Sequence, residues 1–323
     1  MTDTLPDSPT TISVRPAATH IGADISGVDI SQPLDGRTVQ EITDALHRYK
    51  VIFFRGQSLD HASHIAFGRQ FGDLTYAHPH DEAPPDGFPE IFTVDPQWHR
   101  ARYGDGYIKQ KQRRQFHYVT GWHTDITPAV NPPAGSILRA EVVPEYGGDT
   151  MWTNLAAAYQ GLSAPMRAFL NQLRAEHRYG GPDNPPPDSP YAKRIMANPL
   201  VAIHPVVRVH PVTGERTLFV NPGFTSHIVD VSHRESVALL DMLYDEITRT
   251  EYTVRLRWEP GTVAFWDNRA TAHLAPTNVE DLTGRRTLYR VTLIGECPVG
   301  PNGQESELVA GEPFTATRNV ATA

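Results

Sequence analysis

Between Val51 and Ile294 the apolar residues come in many short runs closed by glycine or proline, and few stretches carry the 3.6-residue period of a helix. Val51-Ile52-Phe53-Phe54 reads as a buried strand, Ile91-Phe92-Thr93-Val94 as another, and Tyr252 to Trp258 alternates as a half-buried strand does. Leu200 to Val209, Leu218 to Val220, Thr262 to Trp266 and Arg286 to Ile294 add further strands, with Pro211 to Arg216 as a hairpin turn. Helical spacing is confined to Val39, Ile42, Leu46 and Tyr49, to about Asp60 to Phe71, to Met166, Phe169, Leu170 and Leu173, and to Ser232 to Ile247. The last of these opens with a capping box of Ser232 and Glu235 and buries Leu240, Leu243 and Ile247. There is no regular strand-helix-strand alternation and no repeat of fixed period. The order predicts a mainly β fold with flanking helices, a sandwich or barrel for which a jelly roll fits, because its strands bring distant segments side by side.

One domain is expected over residues 13–314, with a disordered tail over 1–12 and a loose one over 315–323. Leu74 to Pro89 and Tyr179 to Pro190 lack any period and are expected to be binding loops or mobile lids. No window approaches the roughly eighteen uninterrupted apolar residues of a spanning helix, and the opening segment lacks the pattern of a signal peptide. A cytoplasmic location is expected, and the single cysteine, Cys297, agrees with it. A net charge of -8 argues against a sequence-independent nucleic-acid binder, although the run from Lys109 to Arg114 is locally basic.

His123 and Asp125, in Trp122-His123-Thr124-Asp125, are two apart, so on an extended strand both side chains face one side. An imidazole and a carboxylate so placed are two of the three ligands of the facial triad of non-haem Fe(II) oxygenases, and His273 is the candidate for the third. Alone, the triplet is weak, since a chain with 15 histidines contains roughly one by chance. The same three ligands with an open water position would also serve a zinc-dependent hydrolase. Arg286 and Arg290, four apart on a predicted strand, share a face while Arg285 points the other way. A guanidinium on such a face suits a carboxylate, which it holds through two parallel hydrogen bonds.

The motifs VIFFRGQ, FGDL, His78-Pro79, WHTD, PPAGSILRA, GGDTMWTN, HPVVRVHPVTGERTLFVNPGFTSHIVD, WDNRATAH and GRRTLYRVTLIGE occur in that order over most of the chain. In these motifs the sequence resembles the Fe(II)/2-oxoglutarate-dependent taurine and 2,4-dichlorophenoxyacetate dioxygenases. The resemblance implies a double-stranded β-helix, with Fe(II), 2-oxoglutarate and O2 at one end of it. It implies His123, Asp125 and His273 as iron ligands, and Thr150 and Arg286 on the distal carboxylate of 2-oxoglutarate. Arg290 and His78 match the family's contacts to a substrate sulfonate, with Ile126 and Phe224 beside them in the substrate pocket. Val119 and Asp81 stand where the family's taurine-oxidising members have an asparagine and a tyrosine that hold the amine end, so the match stops short of that end. The expected reaction is hydroxylation of a small anionic organosulfur compound, a sulfonate or an alkyl sulfate ester, releasing an aldehyde and sulfite or sulfate with CO2 and succinate. An aryloxyalkanoate carboxylate is the alternative substrate. No nucleic acid or membrane partner is expected, and the resemblance implies a homo-oligomer, a dimer or a tetramer.

Overall fold

The structure, a computed structural model, describes residues 11–80, 84–97, 121–179, 190–275 and 284–317. The expectations for residues 1–10 and 318–323, the basic run at Lys109 to Arg114, Asp81, Val119 and loop positions 180–189 fall outside those residues. In chain order the strands are β1 (Ser13–Pro16), β2 (Ala23–Ser26), β3 (Val51–Phe54), β4 (Phe92–Val94), β5 (Gly135–Val142), β6 (Thr150–Asn154), β7 (Arg174–Arg178) and β8 (Val201–Pro205). They continue as β9 (Val207–Val209), β10 (Arg216–Leu218), β11 (Thr225–Ile228), β12 (Thr253–Leu256), β13 (Val263–Asp267), β14 (Thr271–Leu274), β15 (Thr287–Leu293) and β16 (Glu307–Ala310). The helices are α1 (Gly36–Tyr49), α2 (His61–Arg69), α3 (Leu155–Gly161), α4 (Ala164–Leu170), α5 (Pro190–Ala197) and α6 (His233–Ile247). The chain is mainly β with flanking helices, as its sequence predicts.

The largest sheet has seven strands in the order β1-β2-β3-β13-β5-β15-β4, and a three-stranded sheet runs β12-β6-β14. Alternation along the strands gives the large sheet two apolar faces. Ile52, Phe54, Ile137, Val263, Phe265 and Val291 point to one side, where α1 and α2 contribute Ile42, Leu46, Ile65 and Phe67. The intervening residues Val51, Phe53, Leu138, Ala264, Trp266 and Leu288 meet Trp152, Val254 and Leu256 of the three-stranded sheet. Each such side chain contributes about 1.5–3 kcal/mol on burial, so the contact between the sheets fixes their spacing. A four-stranded sheet, β11-β7-β8-β16, completes the scaffold, and α6 packs Leu240, Leu243 and Ile247 into a cluster with Ala175 and Ile228. The capping box of α6 is present, with Ser232 and Glu235 satisfying each other's backbone amides.

Several local expectations are corrected. The run from Leu200 to Val209 is two strands, β8 paired with β7 and β9 paired with β10. The break follows Pro205, which has no amide to donate to a ladder. Phe169 is 45% exposed rather than lining the buried face of its helix, because α4 stops at Leu170, its one buried residue. The strands β7 and β11 and the short helices α3 and α5 carry no sequence signal of their own. At the ends, the Thr11 amide and hydroxyl donate to Glu41 at 2.8 and 2.7 Å. The Thr317 amide donates to the Leu74 carbonyl, and its hydroxyl donates to Glu90 at 2.9 Å. Among the described residues no helix is long and apolar enough to cross a membrane.

Candidate active site

His123 and His273 form an isolated antiparallel bridge, the His123 amide donating to the His273 carbonyl at 2.9 Å and the reverse bond closing at 2.7 Å. Residues paired in this way project to the same face, and the two imidazole centroids are 4.2 Å apart. His273 is also in register with Trp152 on β6, and Thr150 lies two residues along, so Thr150 shares that face. The expected strand through His123 and Asp125 is reduced to this single bridge, because Asp125 lies in the turn that follows it.

The turn brings the Asp125 carboxylate back toward the imidazoles, with Oδ1 3.8 Å from His273 Nε2. One ligand atom from each of His123, Asp125 and His273 lies within 4.8 Å of the others. His123 Nδ1 donates to the Gly121 carbonyl at 2.9 Å, which puts the lone pair on Nε2. Burial, with His123 alongside, pushes His273 down to about 3, so its imidazole is neutral at physiological pH. Burial opposes the charge on Asp125, yet the Arg290 guanidinium and the neighbouring groups hold this carboxyl well below the usual carboxylate range. Two imidazoles, each with Nε2 toward the cluster or free to turn there, and an ionised carboxylate are the donor types that a divalent first-row metal needs, so the residues fit Fe(II).

Asp125 is held from behind by a relay of side chains. Ser136 donates to its Oδ2 at 2.7 Å, Asn268 Nδ2 donates to Ser136 at 3.0 Å, and Trp266 Nε1 donates to Asn268 Oδ1 at 2.8 Å. The next residue, Ile126, is buried and has φ +43. For a β-branched side chain that conformation costs on the order of 1–3 kcal/mol and persists only where the surroundings impose it.

A second cluster, His47, His210 and Asp267, also has ligand-type atoms within 4.8 Å of one another. Its hydrogen bonds make it an ion-pair network instead. His210 Nδ1 accepts from the amides of Val212 and Thr213, so its proton is on Nε2, which donates to Asp267 at 2.9 Å. Arg269 covers the same carboxylate through two bonds of 2.8 Å.

Arg286 and Arg290 are both buried at the end and within β15, while Arg285 is exposed. Arg286 Nε donates to the Gly148 carbonyl at 3.0 Å, two residues from Thr150. Burial pushes Arg286 down to about 10, leaving it charged at neutral pH, and it forms no ion pair among the described residues. The Thr150 hydroxyl accepts from Trp258 Nε1 at 2.9 Å, so its own proton can be given to a carboxylate. Arg290 differs from expectation in one respect: its Nη1 is bonded to Asp125 at 2.5 Å. Its guanidinium also lies 5.1 Å over the ring of Phe92.

Around this centre the side chains form a ring. His78 stacks on Phe92 at 5.1 Å and reaches the Tyr179 hydroxyl at 3.5 Å, Tyr179 meets Phe224 edge-on at 5.0 Å, and Phe224 meets His123 at 6.1 Å. Ile126 packs in a small cluster with Ala129 and Leu200, against which Tyr179 also lies. His123, Asp125, His273 and Arg290 thus meet at one centre, with Ile126, Phe224 and His78 around it, while Thr150 and Arg286 lie on the neighbouring strands β6 and β15 or at their ends. Tyr179, Phe92, Ser136 and Asn268 were not singled out. Tyr179 lies two residues beyond the buried His177 and so continues the inward face of β7, a strand without a sequence signal of its own.

A family model described as taurine catabolism dioxygenase TauD, TfdA family matches residues 13–292. The chain belongs to the TauD/TfdA dioxygenase family. Among relatives in this family, an alpha-ketoglutarate-dependent sulfate ester dioxygenase from Pseudomonas putida is 41% identical over 310 residues, covering 91% of this chain and 93% of its own. An alkylsulfatase from Acinetobacter baylyi is 36% identical, with 94% and 92% covered. The crystal structure of a taurine dioxygenase from Burkholderia xenovorans superposes with a TM-score of 0.81 at 48% identity, covering 94% of this chain and 96% of that one. The TauD/TfdA match includes His123, Asp125 and His273 together with both arginines.

Proposed function

We propose that the chain is an Fe(II)- and 2-oxoglutarate-dependent dioxygenase that hydroxylates the carbon bearing a sulfate ester or sulfonate in a small anionic substrate. The observation that carries this reading is the convergence of His123, Asp125 and His273 with Arg290 on Asp125, together with Arg286 at the start of the same strand, a buried guanidinium without an ion-pair partner among the described residues. Asp149 and Asp95 offset that buried charge only through space, without a direct ion pair, and a dicarboxylate ligand would supply the close counter-charge. Fe(II), when bound, activates dioxygen, and 2-oxoglutarate supplies two electrons through loss of CO2 to give succinate.

In this reading Nε2 of His123 and of His273 and a carboxylate oxygen of Asp125 would hold the metal, which would bring the 2-oxo acid and dioxygen together beside the substrate. Arg286 and the Thr150 hydroxyl grip the distal carboxylate of 2-oxoglutarate. Arg290 keeps Nη1 on Asp125 and offers Nη2, which has no hydrogen-bond partner among the described residues, to the substrate anion. His78, stacked on Phe92, is the second anion contact. Phe224, Tyr179 and Ile126 give the pocket an apolar wall, which suits an alkyl chain better than a charged amine. The names borne by the relatives from P. putida and A. baylyi point the same way, toward sulfate esters.

One oxygen atom ends in succinate and the other becomes a hydroxyl on the substrate carbon. With a sulfate ester on that carbon, the hydroxyl loses its proton, its C–O bond becomes a carbonyl and the bond from carbon to the ester oxygen breaks, giving aldehyde and sulfate. A sulfonate breaks its C–S bond and gives sulfite. We assign the large and three-stranded sheets to the two halves of a double-stranded β-helix, a reading supported by the core they share around Trp152 and Trp266. The test is a panel of alkyl sulfates, alkylsulfonates, taurine and aryloxyalkanoates with Fe(II), 2-oxoglutarate and O2. Equal yields of succinate and aldehyde, with sulfate or sulfite, are expected. Ester hydrolysis without O2 or 2-oxoglutarate would replace this reading by a metallohydrolase, and turnover confined to aryloxyalkanoates would move the substrate to the carboxylates.

A further inference from the structure

We infer that Asn221 is a positioning residue: it ties the turn that carries Asp125 to the loop that carries Phe224, and so sets the carboxylate of the metal site against the aromatic wall of the pocket. The inference rests on the metal and substrate assignments proposed above.

The strained turn at Ile126 is fixed through the residue after it. Thr127 is fully buried, and its hydroxyl lies 3.2 Å from Asn221 Nδ2 and 2.9 Å from His177 Nδ1. Its carbonyl accepts from His204 Nε2 at 2.7 Å. A carbonyl can only accept, so the His204 proton is on Nε2, and its Nδ1 lies 2.7 Å from the Ser306 hydroxyl. Three side chains from three separate places, β7, β8 and the loop after β10, therefore converge on one residue. With Thr127 pinned from both its side chain and its main chain, Ile126 is held at φ +43 and Asp125 cannot swing away from the imidazoles.

Asn221 faces both ways. Its Oδ1 accepts from the Phe224 amide at 2.9 Å, its own amide donates to the Thr225 hydroxyl at 2.9 Å, and its carbonyl accepts from the Thr225 amide at 3.0 Å. Residues 221–225 are thus closed into a turn by the main chain of Asn221 and by its side-chain oxygen. The same loop touches a second proposed ligand: Gly223 donates to the Trp122 carbonyl, and a Cβ at Gly223 would lie 2.8 Å from the His123 Cβ. The position needs a donor at one end and an acceptor at the other. An amide has both, a carboxylate has no donor, and an aliphatic side chain has neither. Because Asn221 is 1% exposed, solvent does not substitute for what a replacement removes.

The experiment compares the full chain with Asn221→Leu, Thr127→Val and Thr127→Ser. Two quantities are read: the Co(II) dissociation constant of the apoprotein, and the ratio of succinate formed to organosulfur product. Asn221→Leu and Thr127→Val are expected to weaken Co(II) at least fivefold and to raise the ratio at least twofold, as co-substrate oxidation proceeds without a correctly placed substrate. Thr127→Ser, which keeps the hydroxyl, is expected to restore both. If Asn221→Leu does not fold, the Thr127→Val and Thr127→Ser pair decides. Folded variants with Co(II) affinity and ratio within a factor of 1.5 of the parent would reduce the cluster to ordinary core packing. A parent that turns over no organosulfur substrate overturns the proposed function instead, and the Co(II) titrations then still test the link to Asp125.

Discussion

His123 and His273 share two main-chain hydrogen bonds, 2.9 and 2.7 Å long, so their imidazoles are neighbours through the backbone rather than through side-chain packing. Removing either imidazole should therefore subtract a donor without rearranging the other. His123→Ala, Asp125→Ala and His273→Ala are each expected to weaken Co(II) or Fe(II) binding by at least about tenfold and to abolish succinate formation. Calorimetric or absorbance titration of the apoprotein checks this, and undiminished affinity in any one variant removes that residue from the ligand set. Asp125→Ala also leaves Arg290 buried without its carboxylate, so it should lower thermal stability most of the three.

Arg286→Ala should separate co-substrate from metal. Truncating one partner of a buried charge pair costs about 2–5 kcal/mol, so the 2-oxoglutarate requirement should rise by roughly thirtyfold or more while metal affinity is retained. Arg290→Ala should instead raise the KM for the organosulfur substrate, and titrations with each ligand separate the two arginines.

Ser136→Ala removes the hydroxyl that joins Asp125 to Asn268 and Trp266. Loss of such an outer contact is expected to weaken metal binding by about 10–100-fold without unfolding the protein. Metal titration alongside circular dichroism distinguishes this from a general loss of structure.

Stability should fall on the acid side. Burial pushes His64 and His204 down to about 3, whereas in the unfolded chain an imidazole titrates near about 6.5. Between those values the unfolded state binds the extra proton. The stabilisation is therefore complete above about pH 6.5 and is lost as pH falls toward 3, by up to about 1.4 kcal/mol per histidine per pH unit. Urea denaturation between pH 7.5 and 4.5 tests the slope, and His64→Gln should make it shallower.

How far the sequence reveals the site depends on which interactions are local. The two arginines of β15 announce themselves through the two-residue period, and Arg286 remains inward even though the pairing shifts register between Thr287 and Leu288. The three converging residues are legible as candidate ligands because WHTD and WDNRATAH carry them together, while spacing alone leaves a hydrolase open. The supporting contacts were not legible. Ser136 looks like a small residue ahead of an apolar run, and only the pairing of β5 with β13 brings it to Asn268. Arg174 to Arg178 reads as surface because three of its five residues are charged, yet β7 buries Ala175 and His177. Such roles are decided by partners distant in sequence, which no local pattern encodes.

The bridge between the two imidazoles has a practical corollary for redesign. Its bonds use atoms that every amino acid except proline possesses, so positions 123 and 273 act as fixed mounting points whose chemistry is interchangeable. A glutamate installed at either one would start from the same Cα and has the length to reach toward the nitrogen it replaced, whereas a cysteine would fall short, so the scaffold could be offered to a different metal without being refolded around it.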